Sequence, residues 1–133
     1  MLTRRSALAA AALLLSAPLA APAFAAEPSF GTYSPAAFDA AKNAGRPILI
    51  AIHASWCPTC KIQRVILNDL IKKPEFANLV VLRVDFDEQK SAVTGFGADS
   101  QSTLIVFKGK DETGRSVGDT SGTRIEALLR SAI

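Results

Sequence analysis

The sequence predicts an α/β domain in which a central mixed β-sheet carries helices on both faces. Three observations predict it. Apolar runs of strand length alternate with stretches whose apolar residues recur every three or four positions. The last two strand-like runs have only a turn between them. The chain has 133 residues, one domain's worth of core. Strands separated by helices imply parallel pairing through right-handed crossovers, and the late hairpin adds an antiparallel edge.

The first 25 residues stand apart. "MLTRR" is a basic start, and Ser6 to Ala26 carry no charge. Within that stretch "ALAAAALLLSAPLA" is an apolar core, and Ala23-Phe24-Ala25 has the small-x-small pattern of a signal-peptidase site. The expected organisation is a signal peptide over 1–25, cleaved after Ala25, and one domain over 26–133. An uncleaved membrane anchor is the rival reading, because 21 uncharged residues just reach across a bilayer. Pro18, Pro22 and the alanine-rich composition weigh against it. Arg4-Arg5 followed by Ser6-Ala7-Leu8 matches twin-arginine export only in part, so general secretion is expected. The expected location is periplasmic or otherwise extracytoplasmic. Without the leader, 13 basic residues face 12 acidic ones. No basic stripe with interleaved aromatics remains, which excludes nucleic acid as a partner.

The elements follow in order. A short strand is expected near Phe30–Tyr33. Ser34 caps a helix that has Pro35 at its first position and Gly45 as its stop. Ile48 to Ala54 is almost wholly apolar, a buried central strand. From Cys57 to Lys72 the apolar positions Ile62, Val65, Ile66, Leu67, Leu70 and Ile71 mark an amphipathic helix, with Lys61, Gln63, Arg64, Asn68 and Asp69 largely between them. Leu79 to Phe86 is a second apolar strand, and Glu88 to Thr94 a short helix. A strand over Thr103–Phe107, a turn-rich stretch over Lys108–Gly114 and a strand over Arg115–Gly118 form the hairpin. Thr123 to Arg130 is the terminal helix.

Cys57 and Cys60 are the only cysteines. They fall where a buried strand ends and a helix begins. Unpaired backbone N–H groups and the helix dipole favour negative charge there, so a thiolate at Cys57 is stabilised. Cys60, one turn further in, is placed to attack a mixed disulfide formed at Cys57. The alternatives are weaker. A disulfide over so short a loop adds little stability. A zinc site usually takes four ligands, and His53, Cys57 and Cys60 supply three at most. Haem attachment needs His after the second cysteine, where Lys61 stands.

Ser55-Trp56-Cys57-Pro58-Thr59-Cys60-Lys61 resembles the thioredoxin active site, W-C-x-x-C-K. Phe96-Gly97 followed by Thr103–Phe107 resembles the entry to the fourth thioredoxin strand, and Val117-Gly118 the glycine turn before the last helix. The resemblance covers nearly all of residues 26–133. It implies the thioredoxin fold and thiol-disulfide oxidoreductase activity on protein thiols and disulfides. It also implies a redox-active Cys57–Cys60 disulfide in place of any metal or cofactor. Trp56, Pro58, Thr59, Lys61, Ser102, Thr103 and Gly118 take supporting positions.

The chain departs from the family pattern at four places. Ser102 stands where thioredoxins carry a cis-proline, so the Gln101–Ser102 bond is either trans or held cis by its surroundings. On that equivalence, Ser102→Pro is expected to cost little stability. Ala51 replaces the buried acid that accepts a proton, and Arg83 corresponds to that acid's basic partner. Proton handling then falls to His53, to Asp85 or to water. For His53 the competing reading is a strand histidine with one hydrogen bond, and for Asp85 a strand-end residue capping a loop. Val65 replaces a helix-bending proline.

Two directions of electron flow compete. A reductase draws electrons from a membrane thiol transporter and passes them to oxidised proteins; an oxidase donates its disulfide to folding chains. Pro58-Thr59 matches neither the Gly-Pro pair of reducing members nor the Pro-His pair of the strong oxidant. The small size, with no room for an inserted helical domain, favours the reductase. A non-enzymatic metal or protein carrier on the same fold is the third reading.

Overall fold

The computed structural model describes residues 30–133. The leader and its boundary at Ala25 lie outside them. Strand β1 (Phe30–Thr32) is followed by α1 (Pro35–Asn43), β2 (Pro47–His53), α2 (Pro58–Leu70) and a single 3₁₀ turn (Pro74–Phe76). Then come β3 (Val80–Asp85), α3 (Lys90–Gly95), β4 (Thr103–Lys108), β5 (Asp111–Val117) and α4 (Gly122–Arg130). The strands form one five-stranded sheet in the order β1-β3-β2-β4-β5.

Local chemistry sets the element ends where the sequence indicates. Ser34 Oγ accepts the Ala37 N–H at 3.1 Å, Pro35 opens α1, and Gly45 leaves it at a φ of 67°. That left-handed turn is open to glycine at no steric cost. In β2, Ile48, Ile50 and Ile52 face one side and Leu49 and Ala51 the other, all buried. Both faces of the strand are therefore apolar, as a central strand requires. Leu49 joins Leu67, Leu70, Phe76, Ile125 and Leu129 under α2 and α4. The isoleucines join Ala41, Leu82, Val84 and Val93 under α1 and α3, where Tyr33, Phe38, Phe96 and Phe107 stack edge to face or tilted.

Three expectations are corrected. β3 pairs with β2 and β1 in parallel, but β4 runs antiparallel to β2 although a helix separates it from β3. α3 has six residues and rises roughly 9 Å, too little to carry the chain back along a strand of roughly 20 Å. The chain therefore re-enters the sheet at the end it left. The hairpin is also tighter than expected. Lys108 pairs with Asp111, leaving a two-residue turn at Gly109-Lys110, and β5 absorbs one extra residue, Thr113, as a bulge.

The third correction concerns α2, whose buried face is Cys60, Gln63, Leu67 and Leu70. Ile62 and Val65, read as core positions, are 50% and 63% exposed. Cys60 is held at the sheet end by its loop, so the buried stripe runs through positions three and four residues on from it. Ile62 and Val65 fall together on the opposite face of the helix.

Ser34→Ala is expected to lower unfolding free energy by ~1 kcal/mol through loss of the α1 cap. Ile50→Ala is expected to lower it by ~2–5 kcal/mol through the cavity it leaves. Urea midpoints at unchanged slope check both.

Candidate active site

β2 runs through the middle of the sheet and ends at His53; Ala54, buried, anchors the loop that follows. The Ala54 carbonyl accepts the Cys57 N–H at 3.2 Å, a tight turn that delivers Cys57 to the N-cap of α2. Pro58 takes the first helical position, where a missing N–H costs nothing. The cap itself is sulfur: Cys57 Sγ accepts the Cys60 N–H at 3.2 Å. The two cysteines are joined as a disulfide and both are buried. Around them Pro58 is exposed, Thr59 half-buried and Lys61 exposed. Trp56 is 57% exposed, its indole N–H donating to Asp87 Oδ2 at 2.8 Å.

Ser102 faces the nucleophile position. Its Oγ lies 3.6 Å from Cys57 Sγ, and because a disulfide sulfur carries no hydrogen, the hydroxyl is the donor. The Gln101–Ser102 peptide is trans, like every peptide bond among the described residues. Ser102 takes a φ of 57°, which among the described residues only glycines share. Two contacts hold it there. Its carbonyl accepts the Gly118 N–H at 2.9 Å, with Gly118 at a φ of 69°, and the Gln63 Nε2 at 3.1 Å. Thr103 Oγ1 donates to the Ser100 carbonyl, tying off the same loop. Cys57, Cys60, Ser102, Thr103 and Gly118 thus come together at one end of the sheet.

Gln63 is the residue that sequence reasoning missed. Its amide, 3% exposed, also donates to the Asp119 carbonyl at 2.9 Å, so α2 clamps the Ser102 loop and the Asp119 loop together. The available signal was its place in the stripe that joins Cys60 to Leu67: a polar residue there is buried and needs partners.

On the α2 face of the sheet, Ala51 lies opposite Arg83 and His53 opposite Asp85. Arg83 Nη2 is 3.0 Å from His53 Nδ1. A guanidinium only donates, so Nδ1 accepts. Burial first, then Arg83, with Arg64 adding and Asp85 opposing, holds the imidazole below its ordinary pKa. His53 is a neutral acceptor here, with its Nδ1 lone pair occupied. The Asp85 carboxylate accepts the Asp87 and Glu88 N–H groups, both at 2.9 Å, and caps the loop after β3. Those bonds, the Glu88 one foremost, hold its pKa down. Among the described residues no three His, Cys, Asp or Glu side chains are grouped to hold a metal, and no helix is long and apolar enough to cross a membrane.

This sheet order, with a Cys-x-x-Cys disulfide loop at a helix start facing a strand-entry loop, defines a dithiol-disulfide domain. The Thioredoxin family model matches residues 30–131, and the chain belongs to the thioredoxin family. Among curated relatives it is 35% identical over 80 residues to Thioredoxin H4 of Arabidopsis thaliana, covering 60% of this chain and 66% of that protein. It is 32% identical over 90 residues to a Thioredoxin H-type of Brassica campestris, covering 68% and 71%. The match to Thioredoxin H2-1 of Oryza sativa spans 57% of that protein, so the first of these relatives are matched over less than two thirds of their length. The crystal structure of Trxlp from Edwardsiella tarda is 40% identical at a TM-score of 0.74, covering 76% of this chain and 98% of that one. The Malassezia sympodialis thioredoxin, 21% identical at a TM-score of 0.69, covers 79% and 93% and shows the shared fold.

The geometry at Ser102 reverses the expectation for proline. Proline fixes φ near −65°, far from 57°. Ser102→Pro is expected to cost ~1–3 kcal/mol of stability as the residue leaves its backbone well. Ser102→Gly, which suits that φ, is expected to be tolerated; denaturation midpoints distinguish them.

His53 generates a pH prediction. Its folded pKa lies below the unfolded ~6.5, so the unfolded chain binds the extra proton and stability falls as pH drops below ~6.5. His53→Gln is expected to flatten that part of the curve, measured as Tm against pH.

Proposed function

We propose that this protein is an exported thiol-disulfide oxidoreductase that reduces disulfides in protein clients, with Cys57 as nucleophile and Cys60 as resolving thiol. The observation that carries the reading is the Cys57–Cys60 disulfide at the start of α2, with Cys57 Sγ as the helix cap. A sulfur in that place receives N–H groups and the positive end of the dipole, which favour the thiolate.

The chemistry is a pair of exchanges. Cys57 thiolate attacks a client disulfide; a Cys57–client bond forms and one client thiolate leaves. Cys60 thiolate then attacks Cys57 Sγ, the second client thiolate leaves, and the protein is left oxidised. Two electrons from a dithiol donor reset it, and a membrane thiol transporter fits an extracytoplasmic site. No cofactor takes part in either exchange. Membership of the thioredoxin family supports the reaction class, the leader pattern over 1–25 supports export, and the absence of any inserted domain between β1 and α4 supports a reductase over a folding-chain oxidase. Ser102 Oγ, 3.6 Å from Cys57 Sγ, supplies a donor to the Cys57 thiolate that begins the first exchange.

Cys60→Ser is expected to accumulate mixed disulfides through Cys57, and Cys57→Ser few. Oxidised extracytoplasmic clients and a membrane dithiol protein in the trapped set support a reductase. Equal trapping by the two variants contradicts the assigned roles.

A further inference from the structure

Between α2 and the sheet lies a cavity of ≈ 20 Å³, room for about one water. Its wall includes Ala51, His53, Cys60, Gln63, Arg64 and Arg83. Ala51 leaves the space, because only a methyl group stands opposite Arg83 in the register. The charge around it is one-sided. Arg83 is half-buried, and among the described residues neither it nor Arg64 is within ion-pair distance of a carboxylate. From β3, Asp85 also faces this region, but its carboxylate is turned to the N–H groups of Asp87 and Glu88. From β2 comes His53, a neutral acceptor that pins Arg83. From α2 come Arg64 and, beside Cys60 in the chain, the exposed Lys61. β1 and β4 contribute only Phe30 and Leu104.

A partly desolvated cation without an anion is unfavourable, and the cavity has room for only a water-sized group. The disulfide is neutral. Opening it, however, places a sulfur anion on this same wall. We propose that Arg83, held in place by His53 and flanked by Arg64, is the electrostatic partner of the Cys60 thiolate, so that reduction of the disulfide completes the charge balance of the cavity. This rests on the oxidoreductase reading for its use in turnover, though the charge pairing itself does not depend on which client is served.

When an incoming thiolate attacks Cys57 Sγ, a new sulfur–sulfur bond forms, the Cys57–Cys60 bond breaks, and its electron pair leaves on Cys60. A thiolate stabilised by Arg83 is the better leaving group. In the opposite direction, Cys60 attacks from an already deprotonated state, its proton having passed to solvent, and no internal carboxylate is required. Arg83 therefore stabilises the dithiol form, and His53 is a positioning residue that acts through it.

Cys57→Ser leaves Cys60 as the sole thiol in the chain. Its ultraviolet thiolate absorbance is followed against pH, alone and combined with Arg83→Met or Arg83→Lys. The expected half-titration lies below the ~8.5 of a free thiol. Arg83→Met is expected to lower the thiolate fraction at neutral pH about tenfold, one pKa unit, and Arg83→Lys to retain most of it. A parent titration at or above ~8.5, or one that Arg83→Met leaves in place, overturns the proposal. The wild-type protein gives a second readout that needs no variant to fold. His53 is the sole histidine, so its NMR titration reports the charge beside Arg83. An upward displacement on reduction supports the pairing, and identical titrations in the two redox states overturn it. Turnover of a disulfide substrate by the same preparation separates the two readings. Displaced titrations without turnover uphold the pairing and remove the oxidoreductase; turnover with unmoved titrations removes the pairing alone.

Discussion

A sulfur atom serves as the N-cap of α2, and the surrounding architecture exists to hold it there. Capping positions are ordinarily filled by hydroxyl or carboxyl oxygens, which accept the orphan N–H groups of the first turn. Here Cys57 Sγ accepts from the Cys60 N–H, so the reactive atom and the start of the helix are one geometric unit. That unit is only as well placed as the strand feeding it. β2 is buried on both faces and paired on both edges, so the turn through Ala54 begins from a fixed point. Disturbing the sheet centre would move the sulfur along with the helix.

The opposite wall of the site depends on a buried amide. Gln63 Nε2 reaches the Ser102 and Asp119 carbonyls from the helix that carries the cysteines, making two loops and α2 one body. Such an arrangement stabilises only when its partners are all present, since a buried amide left unpaired costs ~1–3 kcal/mol. It also explains how Ser102 persists at a φ that L-residues avoid. Its carbonyl is engaged twice and its hydroxyl is aimed at Cys57, so the surrounding contacts over-determine the strained conformation. The strain sits beside the disulfide, where the Ser102 hydroxyl lies 3.6 Å from Cys57 Sγ.

Charge divides the two sulfurs between different environments. Cys57 meets the helix terminus and the Ser102 hydroxyl; Cys60 meets a small cavity edged by arginines. Ala51 lines that cavity and sets only a methyl group opposite Arg83, so the local balance is cationic. His53 does not take the role of a buried acid, because its Nδ1 lone pair is taken by Arg83. The small side chain at 51 thus sets what Arg83 faces.

Much of this protein was legible in the chain alone. Ser34-Pro35 and Gly45 mark α1 because caps and left-handed stops are local chemistry, and the run from Ile48 marks a central strand because only a doubly covered strand is apolar at every position. The W-C-x-x-C-K stretch located the redox pair for the same reason: neighbouring residues specify a strand end, a turn and a helix start together. The tertiary structure decided the rest. Whether β4 would run parallel or antiparallel depended on how far α3 could carry the chain, a length in space that periodicity does not encode. Which side of α2 would be buried depended on where the loop anchored Cys60; hydrophobicity favoured Ile62 and Val65, and the anchored geometry exposed them in favour of Gln63. The trans bond and positive φ at Ser102, and the pairing of His53 with Arg83 across adjacent strands, arise between residues distant in sequence. Local sequence sets what each segment prefers, and only the packed sheet determines which preferences meet.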